Sequence, residues 1–172
     1  MILPIYVYGH PVLRKKATAM DESQDHSQLI ADMFETMYDA NGVGLAAPQI
    51  GENVRVFVID VSTAKEPLNP IVFINPKIIK KSGACNSYEG CLSFPDAYTN
   101  VRRYENVMVK ALDRHGRPFV MEAKDGTLLA RAIQHEFDHL DGVLFIDHSR
   151  NRFETDKILQ EHNLNPVEPE KL

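Results

Sequence analysis

Two stretches of the chain repeat apolar residues at intervals of three and four positions, which is the pattern of an amphipathic helix. The first spans about residues 27 to 40 and is expected to end at Asn41. The second spans about residues 127 to 140, and Gly142 suits the position just after its end. A last helix is expected over residues 150 to 161, near the C-terminus.

Between the helices, short runs rich in β-branched and aromatic residues predict strands. These runs cover residues 54 to 60, 71 to 74 with a continuation at 77 to 80, 101 to 103, 106 to 112, and 118 to 123. Asn75-Pro76 is expected to interrupt the second run, and residues 113 to 116 predict a hairpin turn. Because no crossover helix separates the runs, the strands are expected to pair antiparallel.

The order of elements predicts one α+β domain, residues 1 to 164, in which antiparallel strands surround a central helix at 127 to 140. A helix in the N-terminal half and a C-terminal helix complete it. Residues 1 to 25, which include a short strand-like apolar run at 5 to 8, are expected to form an ordered arm across the body. Residues 165 to 172 are expected to form a flexible tail.

Composition excludes several classes of protein. Charged residues make up 25% and hydrophobic residues 44% of the 172, which is ordinary for a globular domain of this size. The net charge of -5 argues against a nucleic-acid surface, and we interpret the densest basic cluster, residues 14 to 16, as solvent-exposed. No apolar run is long enough to span a membrane, and no export signal is recognisable, so a cytoplasmic location is expected.

The predicted helix at 127 to 140 places two imidazoles and a carboxylate on one side. His135 and His139 are four residues apart, and Glu136 points close to the same direction. They share their face with the apolar Leu128 and Ala132, where burial without a cation would cost several kcal/mol. The spacing therefore predicts a metal site.

A separate stripe of the same helix is polar. Its members are Thr127, Arg131, Gln134, Asp138 and Asp141. Asp138 suits either a solvent-facing ion pair or a residue that orients a metal ligand. The spacing does not decide between these two roles.

A catalytic metal ion usually has three protein ligands and one water, so a third ligand is needed. Spacing alone leaves several candidates open, namely Cys85, Cys91, His115, Asp147, His148 and His162. The small-residue segment 42 to 51 is equally ambiguous. It lacks the Lys-Ser/Thr of a phosphate loop, and spacing alone favours a tight linker.

Three segments resemble the signature motifs of the peptide deformylases, in the same order. They are GVGLAAPQ at 42 to 49, EGCLS at 89 to 93 and QHEFDH at 134 to 139, and the similarity covers roughly residues 1 to 150. The resemblance implies that Cys91, His135 and His139 hold one divalent metal ion. Fe2+ is then the expected metal, for which Zn2+, Ni2+ or Co2+ can substitute.

The resemblance also implies a reaction, the hydrolysis of the N-formyl group from the first methionine of newly made polypeptides, with release of formate. Glu136 is then the residue that transfers protons. The Gln49 side-chain amide and the Leu92 backbone N–H are expected to stabilise the negative charge that develops on the formyl oxygen.

The same resemblance assigns substrate contacts. Gly44 and Leu45 are expected to hydrogen-bond the peptide backbone in a strand-like manner. The methionine side chain is expected in an apolar pocket formed by Val43, Leu92, Ala132 and the stem of Glu89. Arg131 and Tyr98 depart from the residues usual in the family at the rim of this pocket.

Two other functions compete with the deformylase hypothesis. A zinc endopeptidase that uses the same helix would cut internal peptide bonds and would not need Cys91. A structural metal protein would close the site with a fourth protein ligand. Under the deformylase hypothesis, N-formylmethionyl nascent peptides are the substrates, the ribosome is a transient partner, and a bacterial cytoplasmic enzyme is favoured.

Overall fold

Two antiparallel sheets and three α-helices make up the part of the chain that the computed structural model describes, residues 1–149 and 152–161. The helices are α1 (Ser27–Asp39), α2 (Leu128–Leu140) and α3 (Arg152–Glu161). The strands are β1 (Gly44–Ala46), β2 (Val56–Ile59), β3 (Ile71–Ser82), β4 (Cys85–Cys91), β5 (Phe94–Arg103), β6 (Asn106–Leu112) and β7 (Pro118–Ala123). The larger sheet has the order β1-β2-β3-β6-β7, and β4 pairs with β5. The predicted α+β class with antiparallel strands and three helices is confirmed.

Strand β2 is buried on both faces, because the larger sheet lies between α1 and α2. Phe57 and Ile59 belong to the core cluster that includes the apolar side of α2. Val56 and Val58 belong to the cluster that includes α1. The continuous apolar run of β2 therefore reflects two separate cores, one on each side of the strand.

Strand β3 runs through Asn75-Pro76, so the predicted break at this point is wrong. The register of β3 against β6 shifts between Ile74 and Lys77, which is the signature of a β-bulge. Asn75 has a positive φ of 49°, and its side chain binds the backbone of Met20 at 2.8 and 3.0 Å. A proline is tolerated in a bulge because its missing N–H leaves no ladder bond unmade.

The hairpin of β4 and β5 is much longer than the strand predicted at residues 101 to 103. Its residues alternate between the interior and the surface, as in Ser87 (buried), Tyr88 (exposed) and Val101 (buried). The inward positions include polar residues, which is why a search for apolar alternation did not find β4.

The N-terminal arm is ordered, as predicted, although residues 5 to 8 form no strand. The backbone N–H of Tyr6 donates to the Gln49 carbonyl at 2.7 Å, and that of Tyr8 donates to the Ser93 carbonyl at 2.8 Å. The arm thus ties together two of the three motif segments.

The basic cluster at residues 14 to 16 is only partly at the surface. Lys15 and Lys16 are exposed, but Arg14 is buried and binds Asp147 through two hydrogen bonds of 2.6 and 3.1 Å. The prediction of a solvent-exposed Arg14 is wrong, because it has a buried partner more than a hundred residues away in sequence.

Within the described ranges, none of the helices has the length and apolar character needed to cross a membrane. The predicted tail at residues 165 to 172 lies outside the described residues.

Candidate metal centre and its cavity

One thiol and two imidazoles meet between β4 and α2. Cys91 is the last residue of β4, and His135 and His139 come from consecutive turns of α2. One ligand-type atom from each lies within 4.8 Å of the others, and Cys91 Sγ is 3.4 Å from His139 Nε2. Sulfur and nitrogen donors at this spacing fit a single divalent transition metal ion, with a coordination position left for water.

The other candidates for a third ligand have different surroundings. Asp147 binds Arg14, and His148 Nε2 lies 3.0 Å from Asp138. Cys85 Sγ lies 3.9 Å from the carbonyl of Tyr104. His115 is exposed in the β6–β7 turn, and His162 lies outside the described residues.

His135 is oriented by a buried carboxylate. Its Nδ1 lies 2.9 Å from Glu89 Oε1, which leaves Nε2 for the metal. Arg103 holds Glu89 through two hydrogen bonds of 2.8 and 2.9 Å. Burial by itself would raise the pKa of Glu89, but the hydrogen bonds and charges of Arg103 and His135 together outweigh burial and hold this pKa well below its usual range. Glu89 is therefore ionised and keeps the His135 ring in place.

Two residues of the polar stripe of α2, Gln134 and Asp138, contact the end of β5. Asp138 accepts a hydrogen bond of 2.6 Å from Arg103, and Gln134 binds the backbone N–H and C=O of Tyr104, both at 2.8 Å. Asp138 forms an ion pair, but with the buried Arg103 and not at a solvent-facing position. That pair supports Glu89, which orients His135.

The second imidazole stays neutral. Burial holds the pKa of His139 well below its ordinary value. A neutral imidazole is the form that coordinates a metal.

Glu136 is 5% exposed, and its Oε1 has no hydrogen-bond partner among the described residues. Burial raises the pKa of Glu136 to about 7. A Cβ placed on Gly44 would lie 2.6 Å from Glu136 Oε2, so β1 approaches this carboxylate as closely as a glycine allows. A buried carboxyl with an unpaired oxygen and a pKa near neutrality is suited to accept and return a proton.

Gln49 lies next to the thiol of Cys91. Its Oε1 accepts a hydrogen bond of 3.0 Å from the Ala46 N–H, which fixes the direction of the amide. Its Nε2 is 3.1 Å from Ser93 Oγ and 3.6 Å from Cys91 Sγ. Sequence reasoning did not single out Ser93, although it belongs to the EGCLS segment that carried the resemblance.

A cavity of about 310 Å³ opens beside these groups, which is at the lower end of the range for small-ligand sites. Its wall contains most of the predicted site residues, namely Val43, Gly44, Gln49, Glu89, Cys91, Leu92, Ala132, His135 and Glu136. Leu45 does not line it, because its side chain is fully buried in the core on the α1 side. His139 lies deeper than the wall, next to Cys91.

Strand β1 is at the edge of its sheet, and its unpaired side offers hydrogen bonds beside the cavity. The N–H of Asp60 donates to the Val43 carbonyl at 2.9 Å, and antiparallel bonding alternates along a strand. The N–H and C=O of Gly44 therefore point to the free edge. An extended peptide has a place to pair there.

A model of one protein family matches most of the chain. The sequence model of the family described as polypeptide deformylase matches residues 2–154. Peptide deformylase 1 of Clostridium perfringens is 51% identical over 138 residues, which are 80% of this chain and 90% of that protein. The peptide deformylase of Alkalilimnicola ehrlichii is 44% identical over 171 residues, covering 95% and 94% of the two chains.

Solved structures with the same fold are also similar in sequence. A peptide deformylase from Synechococcus elongatus, solved in complex with actinonin, superposes with a TM-score of 0.90 at 42% identity, covering 98% of this chain and 92% of that one. The peptide deformylase of Thermus thermophilus gives a TM-score of 0.84 at 40% identity, covering 94% and 93%.

Proposed function

The chain belongs to the polypeptide deformylase family, enzymes that remove the formyl group from N-formylmethionine, and we propose which of its residues carry out this reaction. Cys91, His135 and His139 are the metal ligands. Glu136 transfers the proton, and Gln49 and Leu92 stabilise the reacting oxygen. The observation that carries the proposal is the buried, unpartnered carboxylate of Glu136 beside a cluster of three ligand atoms.

The metal is proposed to be Fe2+, with Zn2+, Ni2+ or Co2+ as possible substitutes. One thiolate and two neutral imidazoles suit iron and zinc alike, and the preference for iron rests on the family resemblance. When bound, such an ion supplies Lewis acidity to a water and to the formyl oxygen.

Glu136 moves one proton through the reaction. As water adds to the formyl carbon, the carboxylate accepts the proton that this water loses. When the C–N bond breaks, Glu136 returns the proton to the departing amine, and the formyl carbon leaves as formate. Burial raises the pKa of Glu136, which helps the carboxyl to hold the proton between the two transfers.

Negative charge develops on the former carbonyl oxygen while this carbon is tetrahedral. The Gln49 amide, fixed by its bond to the Ala46 N–H, and the Leu92 N–H are proposed to donate hydrogen bonds to that oxygen. Donors that are already oriented cost no reorganisation as the charge forms.

The peptide is proposed to lie along the free edge of β1, where Gly44 offers its N–H and C=O. Leu45 is proposed to contribute by anchoring β1 in the core, because its side chain is fully buried and its backbone groups, by the same alternation, face β2 and not the peptide. The methionine side chain enters the cavity between Val43, Ala132, Leu92 and the stem of Glu89. Actinonin, found with the Synechococcus elongatus relative, is expected to compete for this place.

The substrate also indicates where the enzyme works. Formylated chains emerge from the ribosome, so we propose a cytoplasmic location and a transient association with the ribosome. The net charge of -5 argues against a specific nucleic-acid contact of its own.

The decisive experiment measures formate released from an N-formylmethionyl peptide by protein prepared without oxygen, with bound metal assayed in the same sample. Glu136→Gln should retain the metal and lose about 100-fold or more in kcat. Glu66→Gln, an exposed carboxylate in the loop before β3, is the matched control and should keep full activity.

Near-normal turnover by metal-loaded Glu136→Gln would refute the role of Glu136. Cleavage of internal peptide bonds, with formyl groups left intact, would instead support the endopeptidase alternative, which family membership does not favour.

A further inference from the structure

Two large aromatic side chains stand exposed on the rim of the substrate cavity. Tyr88 on β4 is 65% exposed and Tyr98 on β5 is 57% exposed. Both line the cavity that also contains His135 and Glu136. Neither has a place in the mechanism proposed above, and exposure of two tyrosines side by side at a cavity mouth is typical of a contact surface.

The hairpin register explains why these rings meet. Tyr88 pairs with Asn100, so Tyr98 is its diagonal neighbour on the same face of the hairpin. The two rings are nearly parallel, with centroids 5.9 Å apart and an interplanar angle of 21°. They form one continuous aromatic surface.

Gly90 makes room for this surface. It lies two residues after Tyr88 and therefore on the same face of β4. A Cβ at Gly90 would lie 2.5 Å from Cε1 of Tyr98, so the Tyr98 ring occupies the space where a side chain would be. The ring is thereby placed directly beside the strand that ends in the metal-ligand candidate Cys91.

A bound peptide has to pass this surface. The methionine side chain fills the cavity, and an extended chain rises about 3.3 Å per residue, so the next two residues remain close to the rim. Tyr88 and Tyr98 present ring faces, which pack favourably against aromatic and large apolar groups.

We propose that Tyr88 and Tyr98 are specificity-determining residues that contact an aromatic or large apolar side chain within the two positions following formylmethionine. This inference rests on the proposed function, because it assigns a substrate preference to the same site. An aromatic pair of this kind favours its ligand by roughly twofold to tenfold.

The test compares kcat/KM for N-formyl-Met-Ala-Ala amide with that for the two peptides that carry phenylalanine at the second or the third residue. The parent enzyme should prefer at least one phenylalanine peptide by roughly twofold to tenfold, mainly through KM. The Tyr88→Ala/Tyr98→Ala double variant should reduce this ratio to about one, whereas Tyr88→Phe/Tyr98→Phe should retain it, since the rings remain. Tyr104→Ala removes an exposed tyrosine that does not line the cavity and should leave the ratio as in the parent.

The outcomes distinguish a failure of the proposed function from a failure of the proposed specificity. If no formyl peptide is hydrolysed by metal-replete parent enzyme, the proposed function itself fails. If the alanine peptide is hydrolysed but phenylalanine gives no advantage, or if the double alanine variant keeps the advantage, the aromatic surface has no part in specificity. Equal losses for all three peptides would indicate a purely structural role and would also overturn the proposal.

Discussion

At the scale of single residues, Glu136 combines burial with an unpaired oxygen, which costs free energy in the folded protein without its metal. The pKa of a free glutamate is 4.5, and burial raises it to about 7 here. A carboxyl with a raised pKa destabilises the folded state once the unfolded chain can ionise and the folded chain cannot. This cost is a consequence of placing a proton acceptor beside a metal site.

The sign of the pH dependence follows from these two values. Below pH 4.5 the carboxyl is protonated in both states, and between pH 4.5 and about 7 only the unfolded chain releases the proton. In chelator-treated protein, Glu136→Gln should therefore gain stability relative to the parent as pH rises through this range. The gain should reach at most about 3 kcal/mol at pH 8, measured by urea unfolding at pH 4 and pH 8.

Glu66→Gln again serves as the control, because an exposed carboxyl should show no comparable pH-dependent gain. A difference between Glu136→Gln and the parent that stays constant with pH would mean that the pKa of Glu136 is not raised.

At the scale of elements, α2 needs defined ends because its register sets the direction of both histidines. The Thr127 hydroxyl accepts a hydrogen bond of 3.3 Å from the Ala130 N–H at the start of the helix. At the end, Gly142 adopts a φ of +72°, and the Val143 N–H donates to the Asp138 carbonyl at 2.9 Å. This is the arrangement of a Schellman motif.

Gly142 is constrained by the nearby backbone of Arg14 as well as by its own positive φ. A Cβ at this position would lie 2.5 Å from the backbone oxygen of Arg14, whereas a Cβ at Gly116, with a φ of +76°, would meet nothing within 4 Å. Gly142→Ala should therefore destabilise the protein by several kcal/mol, and Gly116→Ala by only about 1 kcal/mol.

Equilibrium unfolding in urea of the two variants and the parent tests this difference. Equal losses would mean that the left-handed backbone alone accounts for the cost and that the contact with Arg14 relaxes without penalty.

At the scale of the whole molecule, the three ligand candidates connect the two-stranded sheet to the helix that packs on the larger sheet. Cys91 belongs to the two-stranded sheet, and His135 and His139 belong to a helix whose apolar side packs on the larger sheet. An ion bound by all three would stabilise the folded state, since the unfolded chain cannot present the same site.

Removal of the metal should accordingly lower Tm by on the order of 10 °C, as expected for about 4 kcal/mol of binding energy in a protein of this size. Cys91→Ser should lose most of this response to chelator, as measured by differential scanning calorimetry. Cys85→Ser should keep the full response, because Cys85 lies next to Tyr104, away from the ligand cluster. A full chelator response in Cys91→Ser would exclude Cys91 as a ligand.

Local pattern was sufficient for much of the fold. The helices ending near Asn41 and Gly142 and the strands around residues 56 to 59 and 106 to 112 were predicted because their apolar residues repeat with the period of the element. The antiparallel arrangement followed from the absence of crossover helices. The pairing of His135, Glu136 and His139 on one face of α2 also required nothing beyond helix geometry.

Such patterns do not predict contacts between segments that are distant in sequence. The sequence by itself determined the elements, the two imidazoles of the metal helix and, through three motifs, the family. Only the tertiary structure decided that Cys91 lies close to both histidines and that Arg14 is buried against Asp147. It also decided that Asp138, on the polar stripe of α2, binds Arg103 of β5. The physical reason is that periodicity is set by neighbours along the chain, whereas burial, pKa and ligand geometry depend on the groups that folding brings together from far apart.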